Sequence, residues 1–284
     1  VTQAIVDEII RRALSEDAPW GDITSDAFLP PSARASASLV PREPGILSGI
    51  EVFGRVFSLV DPDVVVELGS VDGATFDTGA VLARVEGSAH AVLRAERIAL
   101  NLCQRMSGIA TVTARYVEAV AGTRARVVDT RKTTPGLRIL ERQAVRDGGG
   151  HNHRYSLSDA VLAKDNHLAV LAAQGVSLGE AIRAARDRVG HTTHIEVEVD
   201  RLSQVEEVVS AGVDTIMLDN FGLDELREGV ALVAGRATVE ASGGVNLETV
   251  AAIAQTGVDI ISVGALTHSV RNLDLGLDVD VSAG

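Results

Sequence analysis

From Ala125 onward the chain repeats one pattern: an apolar run of strand length that ends on a polar residue or glycine, followed by a stretch of helical period. The runs are ARVVDT, AVLAKD, HIEVEV, TIMLD, TVEAS and IISVG, and their ends fall at Asp129, Lys164, Glu198, Asp219, Ser242 and Gly264. The steps between those ends are 35, 34, 21, 23 and 22 residues. The shorter steps each fit one βα unit. The two longer ones leave room for active-site loops and for an extra strand, expected at AVRDGGG. Successive parallel units either close into a barrel or form a doubly wound sheet, and polar groups gathered at strand ends favour the barrel, whose sites are built there.

The front of the chain reads differently. Residues 4–14 place apolar side chains at helical spacing, and SEDAPWGDITSD after them reads as a loop. Between Ala35 and Glu86 the β-like runs ASASLV, ILSGIEVF, VVVELG and VLARVEG, separated by turn residues, predict a small sheet domain. Residues 88–121 are helical in period, with a break expected at Ser107-Gly108. The tail LDLGLDVDV alternates and predicts a strand that returns to the first domain. The expected organisation is residues 1–107, joined by 270–284, as one domain and residues 108–269 as the barrel.

Charge and composition narrow the function classes. A formal net charge of −13 opposes binding to nucleic acid or an anionic membrane, so any cationic site has to be local. Aromatic residues are only 3%, so Ala, Val, Leu and Ile must fill the core. Cys103 is the single cysteine and has no internal disulfide partner. No basic-then-apolar leader or membrane-length apolar run is visible, which makes a cytoplasmic location the expectation. The chain starts at Val1 rather than Met, as it would if residues preceded it.

The chain holds 24 arginines and two lysines, Lys132 and Lys164, and both lysines lie at or just beyond barrel-strand ends. An ammonium and a guanidinium are not interchangeable, so these two positions point to lysine chemistry. In HIEVEVD, period 2 puts Ile195, Val197 and Val199 on one face and Glu196, Glu198 and Asp200 on the other. In a barrel the carboxylates then face inward, where they need cations or a metal; Lys132 and Lys164 are the expected partners. Asp219, closing TIMLD, is equally readable as a site carboxylate or as a helix N-cap. Ser242-Gly243-Gly244 and Gly264-Ala265 let backbone amides approach an anion at the last two strands. DTRKTTPGLR and GGGHNHR add Arg131, Lys132, Arg138, His153 and Arg154, a set suited to several carboxylates or phosphates. His151 and His153 lack the further ligands of a zinc site. A Schiff-base role for Lys164 and a non-catalytic phosphosugar-binding barrel remain as alternatives.

Together, DTRKTTPGLR, AVRDGGGHNHR, AKDNH, EVEVD, MLDNF, EASGG and SVGALTHS, with the earlier EDAPWGDITSD and AERIALNLCQRMSGIAT, resemble the quinolinate phosphoribosyltransferase family along nearly the whole chain. The resemblance implies an α/β fold: an incomplete, roughly seven-stranded α/β barrel with a smaller α/β sandwich formed by the N-terminal part and the C-terminal tail. It implies a homodimer, with room for higher assembly, in which the sandwich of one subunit covers the barrel mouth of the other. The implied reaction joins quinolinate to phosphoribosyl pyrophosphate with Mg²⁺, giving nicotinate mononucleotide, pyrophosphate and CO₂. Carried over by motif, Arg131, His153, Arg154 and Lys164 would bind the quinolinate carboxylates, joined by Arg97 from the partner subunit. Lys132, Glu198 and Asp219 would attend the ribose, pyrophosphate and metal, the two carboxylates as its ligands. Ser242, Gly243, Gly244, Gly264 and His268 would hold the 5-phosphate. A sister within the family, associated with molybdenum transport, would share the barrel without the substrate.

Overall fold

Alternation in RASASLVP buries Ala35, Ala37, Leu39 and Pro41 on one face of a strand and leaves Arg34, Ser36, Ser38 and Val40 on the other. That strand organises the first of two compact units, Val1–Ala114 with Thr133–Gly149 and Thr267–Gly284; the second is Arg115–Lys132 with Gly150–Leu266. The structure is a computed structural model, and it describes residues 2–280.

The chain opens with α1 (Gln3–Asp17), α2 (Ile23–Phe28), β1 (Arg34–Pro41), β2 (Gly45–Ile46), α3 (Ile50–Val60), β3 (Val65–Leu68), β4 (Thr75–Phe76), β5 (Ala83–Ser88) and α4 (Ala89–Ala119). Then come β6 (Arg126–Val128), α5 (Arg138–Asp147), β7 (Val161–Ala163), α6 (Asp165–Ala173), α7 (Leu178–Arg188) and β8 (Ile195–Val199). The series ends with α8 (Val205–Ser210), β9 (Thr215–Asp219), α9 (Leu223–Val233), β10 (Thr238–Ser242), α10 (Val250–Ala254), β11 (Ile260–Ser262), α11 (Ala265–His268) and β12 (Leu275–Asp280).

In the first unit β12, β1, β5 and β3 form an antiparallel sheet in that order. The tail returns as expected: β12 pairs with β1, with Leu277 opposite Leu39 and Leu275 opposite Pro41. Val281 to Gly284, the end of the expected tail, lie outside the described residues. Helix α3 buries Ile50, Val52, Phe53, Val56 and Phe57, and the Phe53 and Phe57 rings sit 5.0 Å apart. Helix α1 is tied to α3 by a two-point ion pair, Arg55 Nε and Nη2 donating to the Asp7 carboxylate at 2.8 and 2.7 Å. No single helix among the described residues is long and apolar enough to cross a membrane.

Three local expectations are corrected. ILSGIEVF does not continue as a strand, because Gly49 turns the backbone at φ +88° and starts α3. Part of the expected N-terminal loop is α2, capped by the Asp22 carboxylate, which accepts from the N–H groups of Thr24 and Ser25 at 3.1 and 3.2 Å. Helix α4 runs unbroken through Ser107-Gly108. Gly108 is there for close approach: a Cβ at that position would lie 2.3 Å from the Arg271 carbonyl oxygen.

The second unit is a six-stranded parallel sheet in the order β6, β11, β10, β9, β8, β7. Each strand after β7 lies beside its predecessor, and the last of the series, β11, pairs with the first, β6. A doubly wound sheet does not bring last back to first; a barrel does. The barrel is incomplete, since β6 and β7 do not pair. AVRDGGG is not the seventh strand: most of it belongs to α5, and the edge of β6 is met only by a bridge from Val128 to His151. There His151 N–H donates to the Val127 carbonyl at 2.9 Å and Asp129 N–H to the His151 carbonyl at 3.1 Å.

Gly108→Ala is expected to destabilise the fold by about 1–3 kcal/mol, because the overpacking outweighs the helix-propensity gain of alanine. Urea denaturation measures this, and an unchanged midpoint would remove the close-packing reading of Gly108.

Candidate active site

Parallel pairing aligns the C-terminal ends of the barrel strands, and the polar residues named from the sequence sit there. In register, Glu198 lies opposite Met217 and Asp219 opposite Ser242. Lys164, the residue before α6, ion-pairs through Nζ with Glu198 Oε2. Its partner is largely buried, at 12% side-chain exposure, while Lys164 itself is 43% exposed. Asp219 Oδ2 accepts from Asn220 Nδ2 at 2.6 Å. Asn220 adopts φ +61° and donates its N–H to the Ser242 carbonyl at 2.9 Å, so β9 and β10 are laced together one residue beyond Asp219. Gly243 has φ +87°, and a Cβ there would be 2.1 Å from Asn220 Oδ1, so only glycine fits. Gly244, at φ +61°, faces open space. Together these give a turn with exposed backbone and no side-chain obstruction at Gly244, consistent with an anion grip.

The cationic side of the unit is built beside β6. Asp129, fully buried, accepts from Asn152 Nδ2 and from the His153 N–H, both at 2.7 Å, and so fixes the strand-to-loop path of HNHR. Arg154 donates Nη1 to the Ala160 carbonyl at 2.9 Å and lines a cleft of about 500 Å³ with Ala160, Leu162, His167 and Thr193. Burial, together with the nearby Arg131 charge, pulls the Arg154 guanidinium below its ordinary value. Arg131 Nε is buried with no hydrogen-bond partner. Two guanidinium charges that act on one another, with an unmet buried donor on Arg131, suit an anion of more than one charge. Lys132 is exposed and its N–H donates to Thr130 Oγ1 at 3.1 Å.

The inward face of β8 departs from expectation at Glu196. Glu198 finds a lysine, but Glu196 meets His153 and Glu240 instead: His153 Nε2 lies 3.1 Å from Glu196 Oε2 and 3.3 Å from Glu240 Oε2. Glu196 is 3% and Glu240 1% exposed. Glu240 was present in the EASGG motif as the one charged residue of an apolar strand, at an inward position by period 2, and that was the available signal.

The first unit carries Arg97, Arg138 and His268. Arg97 projects from α4 with an exposed side chain. Arg138 opens α5, with Nε donating to Thr133 Oγ1 at 2.9 Å. His268 is exposed, its Nδ1 2.6 Å from Ser269 Oγ. A second feature missed from sequence is the Arg105–Glu141 pair. Arg105 Nε and Nη2 donate to Glu141 Oε1 at 3.0 and 2.9 Å, Nη1 donates to the Val270 carbonyl at 3.0 Å, and Nη2 also reaches the Thr267 carbonyl. Glu141 Oε2 accepts the Thr134 N–H at 3.1 Å. One ion pair thereby anchors the loop that follows Lys132 and the turn that carries His268. Glu141 has no solvent exposure, so Arg105→Ala strands a buried charge and is expected to cost about 3–5 kcal/mol. A thermal melt of the variant within a degree of the parent would contradict that.

The family models for the quinolinate phosphoribosyl transferase N-terminal and C-terminal domains match residues 22–107 and 109–278. A relative from Mycobacterium leprae, named nicotinate-nucleotide pyrophosphorylase (carboxylating), is 45% identical over 280 residues, 96% of each chain. A Nicotiana tabacum relative, named quinolinate phosphoribosyltransferase (decarboxylating), is 41% identical over 292 residues, 96% of this chain and 82% of its own. The crystal structure of NadC from Streptococcus pyogenes superposes with a TM-score of 0.94 at 40% identity, covering 100% of this chain and 99% of that one. The two family models together span nearly the whole chain and the fold superposes on a solved relative, so this chain belongs to the quinolinate phosphoribosyltransferase family.

Proposed function

We propose that this chain transfers the phosphoribosyl group of phosphoribosyl pyrophosphate to quinolinate with decarboxylation, yielding nicotinate mononucleotide, pyrophosphate and CO₂ for NAD biosynthesis. The observation that carries the reading is the Arg131 and Arg154 pair: burial, with the Arg131 charge adding to it, lowers the basicity of Arg154, and a buried donor on Arg131 is left unmet. A pyridine dicarboxylate supplies two anions at a fixed spacing, and Arg forks bind carboxylates in a bidentate manner. His153 and Lys164 complete the pocket in this proposal, with Arg97 contributed by the partner subunit of a homodimer.

The phosphoribosyl pyrophosphate half falls to the other strand ends. Ser242, Gly243, Gly244 and Gly264 offer backbone and hydroxyl donors to the 5-phosphate, with His268 assigned to the same group. Departure of pyrophosphate leaves positive charge on the ribose, which Glu198 and Asp219 at adjacent strand ends stabilise, while Lys132 binds the leaving anion. The quinolinate nitrogen then attacks the anomeric carbon. Once alkylated, the ring is a pyridinium that accepts the electron pair left at C2, so the 2-carboxylate departs as CO₂ and a proton takes its place. The protein's task in that step is to hold the ring and limit water.

Mg²⁺ fits Glu198 and Asp219 as a shared ion. Among the described residues the one group of three clustered ligands is His153, Glu196 and Glu240, so these two carboxylates form no protein cage of their own. A hard cation that keeps its waters and binds through one or two carboxylates plus a diphosphate suits that donor set. When bound it would neutralise the pyrophosphate. The Schiff-base alternative for Lys164 is disfavoured by its ion pair with Glu198, since such a lysine needs an apolar or cationic setting. A cytoplasmic location belongs to the same proposal.

Mass spectrometry of a reaction containing quinolinate, phosphoribosyl pyrophosphate and Mg²⁺ should detect nicotinate mononucleotide. Arg154→Ala and Lys132→Ala should each lower kcat/KM by at least about a hundredfold, the scale of one lost charge-assisted contact in the transition state. Full activity in both variants would reject the site assignment. Mixing inactive Arg97→Ala with inactive Lys132→Ala protein should restore part of the activity, because a mixed dimer then carries one intact site. Failure of complementation in a verified mixed dimer would place Arg97 in its own subunit's chemistry.

A further inference from the structure

The floor beneath the proposed quinolinate pocket holds two glutamates that the reaction above does not use. Glu196 on β8 and Glu240 on β10 flank β9, and their Oε2 atoms converge on His153 Nε2 at 3.1 and 3.3 Å. The Oε1 atoms of both are buried without a hydrogen-bond partner. Two ionised carboxylates in such a place are costly, and burial, with the adjacent Glu240 charge, pushes the Glu196 carboxyl up.

The other ring nitrogen settles the proton count. His153 Nδ1 accepts the Arg154 N–H at 2.8 Å, so it presents a lone pair and carries no hydrogen. The inward Nε2 faces an oxygen of each carboxyl, and Nδ1 has no hydrogen to give, so the ring meets the two glutamates as a neutral Nε2–H donor. Other charged groups beside this cluster are Arg154, whose guanidinium feels the Glu196 charge, and Asp129, which grips the His153 N–H at 2.7 Å.

We propose that Glu196 and Glu240 are positioning residues of the quinolinate site: they hold the His153 ring by its inward Nε2–H, so that Nδ1 pins the Arg154 backbone and aims its guanidinium at a substrate carboxylate. In this arrangement His153 acts through Arg154, with both ring nitrogens engaged by the protein. The inference rests on the proposed reaction and adds a supporting layer of two glutamates and a histidine beneath it.

Glu240→Gln removes the anion from the floor and is expected to raise the KM for quinolinate about tenfold, the loss of one charge-assisted hydrogen bond, with the KM for phosphoribosyl pyrophosphate within about twofold of the parent. Glu196→Gln, which alters the other acceptor of the same Nε2, should raise it as well. An unchanged KM for quinolinate in a normally melting Glu240→Gln protein, or equal rises in both KM values, overturns the proposal. Nitrogen-15 NMR of histidine-labelled parent protein, with His153→Asn to assign the ring, needs no variant of the floor: a neutral ring with hydrogen on Nε2 at pH 7 is expected. A doubly protonated or Nδ1–H ring sinks the idea. Arg154→Ala with undiminished use of quinolinate would instead defeat the underlying reaction assignment, which separates the two failures.

Discussion

Parallel pairing of Ile260–Ser262 with Arg126–Val128 is the interaction on which the second unit turns. It brings the last strand of a linear βα series back to the first, and so gathers the strand ends into an incomplete barrel. Without it, Asp129 and Ser262, more than a hundred residues apart in the chain, would have no reason to share an end of the sheet. With it, the polar termini of all six strands face the same side, and their chemistry adds. The pairing is only three residues long, and its geometry is supported from both ends: Arg126 N–H donates to the Asp259 carbonyl and Val263 N–H to the Val128 carbonyl, at 2.9 and 3.0 Å.

The inner surface of that partial barrel is polar by the alternation of its strands, and each buried carboxyl is met in a different manner. Glu198 takes a lysine, Asp129 takes backbone and amide donors, and Glu196 and Glu240 share a histidine. The sites of greatest electrostatic cost therefore lie directly under the residues proposed to bind substrate. Perturbed groups cluster where function does, and here the cost is local to the strand ends while the helix-facing sides of the same strands, such as Ile195, Val197 and Ile216, are plain apolar core.

Much of this was legible in the sequence because it depends on period and order. Alternation in HIEVEVD assigned the inward face, the spacing of the polar ends gave the βα series, and LDLGLDVDV gave the returning strand. What could not be read depends on partners distant in the chain. Nothing local to Glu196 names Glu240 as its neighbour, and Arg105 finds Glu141 only after α4 and α5 have packed. Glycine was the other source of error. Gly49 starts a helix at φ +88° where the flanking β-branched residues suggested a strand, and Gly108 suggested a break where it permits an approach to the Arg271 carbonyl. In both cases the residue's meaning lies in what packs against it.

The chain meets almost all its needs for positive charge with guanidinium, and this has a chemical corollary. Acetylation, carbamylation and glycation all attack side-chain amines, and most proteins spread such damage over many surface lysines where it is silent. Here the only such amines are Lys132, which is exposed, and Lys164, which is 43% exposed beside Glu198. Any reagent that consumes a side-chain amine on this protein does so at or just beyond a strand end, so such covalent wear falls on the residues of the proposed site rather than on silent surface.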